Sequence, residues 1–166
     1  MQVVPAAYAF VIHTTNPLTN NADEIYTEVV RGLGEVLVGN YPGRALSFTV
    51  SKDELWSPKV VGFPSKSVGL FAPETLIFRS DSNGEDLEGF AGAGLYDSIT
   101  MDKCEEHPIE YAEDPLVNDE RYQQHILSRI ANAGNCIEQI LQSAQDLEGC
   151  ITSSGDLYIV QTRPQV

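Results

Sequence analysis

The segment QDLEGCITSSGDLYIVQTRP, residues 145–164, decides how this chain folds and where its candidate site lies. Two runs of strand-forming residues flank Thr-Ser-Ser-Gly, which is a short turn sequence with a glycine, so the segment predicts a β-hairpin. Asp146 and Glu148 are two residues apart in the first strand, and Gln161 and Arg163 are two apart in the second. Residues at this spacing share one face of a strand, so each strand gathers its polar pair on one side.

These four side chains suit a divalent cation and a phosphate. Paired oxygen ligands are what Mg²⁺ accepts in proteins, and a guanidinium can clamp a phosphate through two parallel hydrogen bonds. The residues alone leave a second interpretation open, which is a surface hairpin whose polar end is held by a Gln–Asp hydrogen bond.

Working outward from the hairpin, the rest of the chain predicts a mixed α+β domain with more strand than helix. Alternating or buried apolar runs predict strands at 8–13, 24–31, 44–50 and 75–79, with a loop-rich connection over 51–74. One long helix is predicted over 118–142, because apolar residues recur there at steps of three and four: Tyr122, Ile126, Ile130, Ala133, Ile137 and Ile140. A core strand so close to residue 1 suggests that the chain is a piece cut from within a domain.

Two further segments are candidates for ligand contact. In Arg31-Gly-Leu-Gly-Glu35, glycines can let the backbone approach a ligand closely, although a tight turn after a strand explains G-x-G equally well. The stretch from Phe78 to Gly89 holds four carboxylates within eight residues, and it is either a cation-sharing loop or a solvated acidic turn. The three histidines are scattered and none lies in a recognisable phosphohistidine loop.

Composition and charge exclude several classes of protein. The 166 residues carry a formal net charge of -14, which disfavours nucleic acid and anionic membrane surfaces as partners. Three cysteines without C-x-x-C spacing argue against a disulfide scaffold or a zinc site and fit a reducing compartment. The sequence has no Walker-type phosphate loop, no EF-hand pattern and no apolar run that would span a membrane.

Taken together, four segments resemble the C-terminal nucleotide-binding region of the plant α-glucan water dikinases. This family is part of the wider pyruvate phosphate dikinase and phosphoenolpyruvate synthase group. The segments are YAFVIHTTNP (8–17), EIYTEVVRGLGEVLVGNYPGRALSF (24–48), IFRSDSNGEDLEGFAGAGLYDSI (77–99) and QDLEGCITSSGDLYIVQTRP (145–164). The pairing of QDLEG with VQTRP marks the wider group, whereas YPGRALSF and RSDSNGEDLEG point to the glucan branch.

The resemblance implies the C-terminal part of an ATP-grasp domain over residues 1–166, with a mixed or antiparallel sheet. It implies that Glu148 and Gln161 bind magnesium with ATP, that Asp146 supports them and that Arg163 grips phosphates. Glu35 would line the same cleft. Arg79 is included among the ATP-binding candidates, although its motif follows the Gly-Leu-Gly-Glu segment here and precedes it in other dikinases.

The implied reaction passes the β-phosphate of ATP through an enzyme histidine to a glucosyl unit of starch-like α-glucan, while the γ-phosphate goes to water. The resemblance places that histidine and the other half of the nucleotide site outside these residues, so this piece would be inactive alone. It also implies a plastid stroma location. Two alternatives stay open, namely a phosphoglucan water dikinase and a binding module that holds ATP without turnover.

Overall fold

The computed structural model of the chain describes residues 1–39, 41–79, 86–87, 90–91 and 98–165. Its strands are, in chain order, β1 (Gln2–Val3), β2 (Ala6–His13), β3 (Glu24–Arg31), β4 (Leu46–Ser51), β5 (Lys59–Gly62), β6 (Val68–Phe71), β7 (Thr75–Arg79), β8 (Asp86–Leu87), β9 (Phe90–Ala91), β10 (Ser98–Thr100), β11 (Glu105–Pro108), β12 (Gln145–Thr152) and β13 (Leu157–Pro164). Its helices are α1 (Glu35–Val38), a 3-10 helix (Tyr111–Glu113), α2 (Pro115–Asn118) and α3 (Glu120–Leu141).

The main sheet is antiparallel and places its strands in the order β13-β12-β2-β3-β4-β5. Helix α3 packs across one face of this sheet, which we call the helix face, and the opposite side is the open face. Alternate residues of β2, namely Tyr8, Phe10 and Ile12, are buried on the helix face. They meet Ile126 and Ile130 of α3, and burying each such side chain contributes roughly 1.5–3 kcal/mol.

Helix α3 is capped by a side chain at its N-terminus and ends at a left-handed residue. The Asp119 side chain accepts hydrogen bonds from the amides of Arg121 and Tyr122, both at 3.0 Å, and so caps the N-terminus. At the other end Gln142 adopts a left-handed conformation with φ of 55°. The prediction that Ile140 belongs to the buried stripe is wrong, since it is 68% exposed and the packing on the sheet ends near Ile137.

One end of the open face is covered by a second apolar cluster. Val36 of α1 and Leu70 of β6 pack there on Ala9, Val30 and Cys150 of the main sheet. Elsewhere β7 pairs with β1 and β10, β11 pairs with β6, and β8 pairs with β9. This small cluster ends partway along the strands, so the rest of the open face is left to polar side chains.

The predicted α+β class and the antiparallel sheet with one long helix are confirmed. The strand predicted at 24–31 has the predicted bounds. The short elements between 98 and 118 were not predicted, because four-residue strands and helices carry too few residues to show a period. The three cysteines are free, and no helix of the described residues has the length and apolarity to cross a membrane.

Candidate functional site

The hairpin of β12 and β13 brings the four predicted side chains together on the open face. Asp146 pairs directly with Arg163, and Glu148 pairs directly with Gln161. Directly opposed residues in an antiparallel pair have Cβ atoms about 4.5–5.5 Å apart. The structure therefore places two carboxylates, an amide and a guanidinium side by side on one surface.

A β-bulge beside these residues decides which way they face. Gln161 pairs with Glu148 while Ile159 pairs with Gly149, so Val160 is an extra residue in β13. Without it, Ile159, Gln161 and Arg163 would share one face, since they alternate regularly. The bulge lets Ile159 pack on the helix-face core while Gln161 and Arg163 turn to the open face.

Asp146 contacts two side chains, through a hydrogen bond with His13 and an ion pair with Arg163. His13 Nδ1 lies 2.7 Å from Asp146 Oδ1, and Arg163 Nε lies 3.4 Å from Asp146 Oδ2. The Asp146 side chain is 17% exposed, whereas that of Arg163 is 55% exposed. The Gln–Asp hydrogen bond of a purely structural hairpin does not form between these described residues. Instead Asp146 fixes one edge of the guanidinium, and the rest of that group faces solvent.

Glu148 and Gln161 are both exposed, and among the described residues neither side chain enters a hydrogen bond or an ion pair. In the described part of the chain, no group of three or more His, Cys, Asp or Glu side chains is arranged to hold a metal ion. In proteins Mg²⁺ is usually held by one or two carboxylates together with substrate phosphates. One carboxylate and one amide, adjacent and uncommitted, fit such a shared site.

The four residues begin two parallel rows that cross the open face from strand to strand. One row is Arg163, Asp146, His13, Tyr26 and Thr49, and the next row is Gln161, Glu148, Val11, Glu28 and Ser47. Val11 is the apolar exception. The open face is therefore a continuous polar surface that spans five strands of the main sheet.

Tyr26 and Glu28 form the middle of this surface. Tyr26 Oη donates to Glu28 Oε1 at 3.2 Å, and the Tyr26 ring stacks on His13 with centroids 6.2 Å apart. Burial raises the pKa of Tyr26, and the negative charge of Glu28 raises it further, although a hydrogen bond with Ser47 opposes the shift. Tyr26 therefore stays a neutral phenol at physiological pH and holds Glu28 as an acceptor.

Glu35 lies on the same side of the sheet as the four hairpin residues, because it begins α1, and α1 packs on the open face through Val36. Its side chain is exposed. Gly32, three residues before Glu35, is required by the local backbone. Gly32 has φ of +79°, its amide donates to the Ala7 carbonyl at 3.0 Å, and a Cβ there would lie 2.0 Å from the Leu70 carbonyl oxygen. The tight-turn interpretation of Gly32 therefore accounts for it fully.

Arg31 precedes these glycines, but its side chain lies on the helix face of the sheet. It pairs with Tyr8, which is on the helix face, and its guanidinium carbon lies 4.8 Å from the Tyr8 ring centroid. Its Nε lies 3.2 Å from Asp114 Oδ2, while Tyr8 Oη donates to Asp114 Oδ1 at 2.7 Å. Burial, followed by the hydrogen bond to Asp114, raises the pKa of Tyr8. Arg31 thus stabilises the helix-face core and is not a cation of the open face.

Arg79 is the last residue of β7, and its side chain lies outside the described part of the structure. The acidic loop at 81–88 likewise falls outside the described residues, apart from the backbone of β8. The roles predicted for Arg79 and for this loop stay predictions.

Sequence reasoning missed His13, which we expected to be one of several scattered histidines. The residues that it contacts are remote in sequence, since Asp146 is 133 positions away. The odd positions of β2 before His13 are Ala7, Ala9 and Val11, so no alternation of polar and apolar residues marks it. Which partner an odd position meets depends on strand order, and the sequence does not give that order.

The His13–Asp146 contact leads to a stability prediction. We expect His13→Leu to lower the free energy of unfolding by about 1 kcal/mol, because it removes a hydrogen bond to a partly buried carboxylate. His13→Asn should restore most of this loss, since its amide nitrogen occupies the place of Nδ1. Urea unfolding of the three proteins measures the difference, and equal stability of the Leu and Asn variants would contradict the assigned contact.

Comparison with known proteins identifies the relatives of this chain. No protein-family model matches it. Over 165 residues, which are 99% of the chain, it is 59% identical to α-glucan water dikinase, chloroplastic, of Solanum tuberosum, and it covers 11% of that protein. It is also 59% identical to α-glucan water dikinase 1, chloroplastic, of Arabidopsis thaliana, of which it covers 12%.

A more distant relative is the probable phosphoenolpyruvate synthase of Pyrococcus abyssi, which is 28% identical over 155 residues. That match covers 93% of this chain and 16% of the archaeal protein. The resemblance that the motifs predict is thereby confirmed for both the glucan branch and the wider group. The chain is homologous, over nearly its whole length, to a segment of the α-glucan water dikinases.

Proposed function

We propose that this chain is the Mg–ATP-holding segment of an α-glucan water dikinase with an ATP-grasp architecture. In this proposal the β-phosphate of ATP passes through a histidine outside the segment to a glucosyl unit, and AMP and orthophosphate are released. The observation that carries it is the meeting of Asp146, Glu148, Gln161 and Arg163 on one open sheet face. Two relatives are named chloroplastic, so we place the full-length protein in the plastid.

In this proposal each side chain has a distinct task. Glu148 and Gln161 are adjacent oxygen donors for the metal. Asp146 holds Arg163 through Nε, so the two terminal nitrogens of the guanidinium remain for the oxygens of a phosphate. Bound Mg²⁺ would neutralise negative charge on the phosphates. The segment therefore contributes positioning and electrostatics, which supply most of the catalysis in phosphoryl transfer.

Of the acceptor classes, α-glucan is favoured over phosphoglucan by the names of the relatives. A segment exchange tests the whole proposal. The matching segment of the Solanum tuberosum dikinase is replaced by this chain, and the chimera receives ATP labelled in its β-phosphate together with α-glucan. We expect label first on a histidine of the enzyme and then on the glucan.

The rival functions are separated by further measurements. Transfer of label only to glucan that already carries phosphate, by the full-length protein that contains this chain, would identify a phosphoglucan water dikinase. Tight Mg–ATP binding by the isolated chain, measured by calorimetry, together with an unlabelled chimera, would indicate a binding module. A chimera that is soluble and folded but labels neither histidine nor glucan contradicts the dikinase proposal.

Arg163→Lys tests the clamp in particular. A lysine cannot bond to Asp146 and grip a phosphate with a planar pair of donors, so we expect the affinity for Mg–ATP to fall by about tenfold or more. Arg129→Lys, on helix α3 behind the sheet, is the matched control and should bind normally. Calorimetry with Mg–ATP on a full-length enzyme that contains this segment measures the affinity of both variants. Unchanged affinity in Arg163→Lys would remove the phosphate clamp from the proposal.

A further inference from the structure

A cleft of about 350 Å³ opens on the sheet where the two polar rows reach β4 and β5. Tyr26, Glu28 and Ser47 of the rows line it, and two residues from neighbouring loops, Arg44 and Lys66, line it as well. The cleft thus joins two cations to the hydroxyls and the carboxylate of the open face. It lies at the other end of the rows from the β12–β13 hairpin.

The two loops that supply the cations are bonded to each other. The Arg44 amide donates to Ser65 Oγ at 2.9 Å, and the Ser65 amide donates to the Arg44 carbonyl at 2.8 Å. Gly43 has φ of +93°, and a Cβ there would lie 2.4 Å from the Ser65 carbonyl oxygen. The backbones that present Arg44 and Lys66 are therefore fixed relative to each other.

Lys66 is 7% exposed, which is unusual for an ammonium group. Its Nζ donates to the Tyr41 carbonyl at 2.7 Å, which uses one of its three donors. Within the described residues no carboxylate forms an ion pair with it, although Glu28 lines the same cleft and accepts from Tyr26. A buried charge is costly unless it meets an opposite charge, so this position favours an anionic ligand.

We propose that the cleft is a second phosphoryl-binding subsite, in which Lys66 and Arg44 hold the phosphate oxygens while Glu28 and Ser47 contact hydroxyls of its carrier. Glu28 lies two strands from Glu148, a separation of about 10 Å, so this subsite is distinct from the magnesium ligands. Its place in the reaction rests on the proposed function. The phosphate would come either from ATP or from a phosphorylated glucosyl unit.

Titration of the chain with inorganic phosphate and with glucose 6-phosphate, in the absence of Mg²⁺, tests this subsite. We expect binding of at least one probe, and a loss of affinity of about tenfold or more in Lys66→Gln and in Arg44→Gln. Tighter binding of glucose 6-phosphate than of inorganic phosphate would identify the sugar ester as the source. Tighter binding of ATP, added as a third probe, that is lost in Arg44→Gln would identify the nucleotide as the source. Arg44 is exposed, so its variant should fold even if Lys66→Gln does not.

Two controls separate this inference from the proposed function. Lys103→Gln removes the same charge from an exposed position that does not line the cleft, and it should bind like the wild type. Glu110→Gln, which removes an exposed carboxylate that does not line the cleft, should also bind phosphate like the wild type. No binding of any probe by the wild type, or equal affinity in folded Arg44→Gln, would overturn the subsite while leaving the magnesium site untouched.

Discussion

Replacing Glu148 or Gln161 by alanine is expected to abolish ATP-dependent labelling of the enzyme histidine in a full-length dikinase that contains this segment. The two side chains are adjacent across β12 and β13 and are uncommitted to other described residues. Loss of a residue that merely supports a metal ligand costs about 10–100-fold in metal affinity or activity, so loss of a ligand itself should exceed that range. Labelling with β-phosphate-labelled ATP measures the effect.

The same two variants should fold normally, because exposed residues away from caps and cores usually change stability by less than about 0.5 kcal/mol. Glu110→Ala, which removes an exposed carboxylate remote from the hairpin in sequence, serves as the control and should label at the wild-type rate. Raising the Mg²⁺ concentration should partly restore histidine labelling in whichever of the two variants keeps the higher affinity for the metal. Normal labelling in Glu148→Ala would show that the metal is held elsewhere.

Gly32→Ala is expected to cause a large loss of stability. Its φ of +79° is a conformation that costs a residue with a side chain about 1–3 kcal/mol. A Cβ would also lie 2.0 Å from the Leu70 carbonyl oxygen, so β6 would have to move, and such overpacking adds about 1–3 kcal/mol. We expect a total near 4 kcal/mol, or failure to fold, measured by urea unfolding.

Gly34→Ala is the matched control within the same Gly-Leu-Gly sequence. Gly34 has φ of -62°, and a Cβ there would make an ordinary contact, 3.8 Å from the Ala9 Cβ. We therefore expect stability to change by less than about 1 kcal/mol. A stable Gly34→Ala protein with weakened ATP binding would assign the second glycine to ligand approach. Comparable losses in both variants would contradict the structural account of Gly32.

Periodicity predicted the fold class well because it reports the local environment of each residue. The alternation in 24–31, the three- and four-residue steps of α3 and the turn in the hairpin each occupy one continuous stretch of chain. The candidate site was partly predictable for the same reason, since each pair, Asp146 with Glu148 and Gln161 with Arg163, lies within one strand. The side-chain partners of Arg31, Tyr8 and Asp114, could not be predicted because they are distant in sequence.

The sequence by itself determined that the chain forms an antiparallel α+β domain, that its hairpin carries two polar pairs, and that it resembles the glucan dikinases. Only the tertiary structure decided that the bulge at Val160 turns Gln161 and Arg163 toward Asp146 and Glu148, that His13 holds Asp146, and that Lys66 is buried beside an open cleft. These features depend on strand order, register and loop packing. Such properties arise from contacts between distant parts of the chain, and no local pattern encodes them.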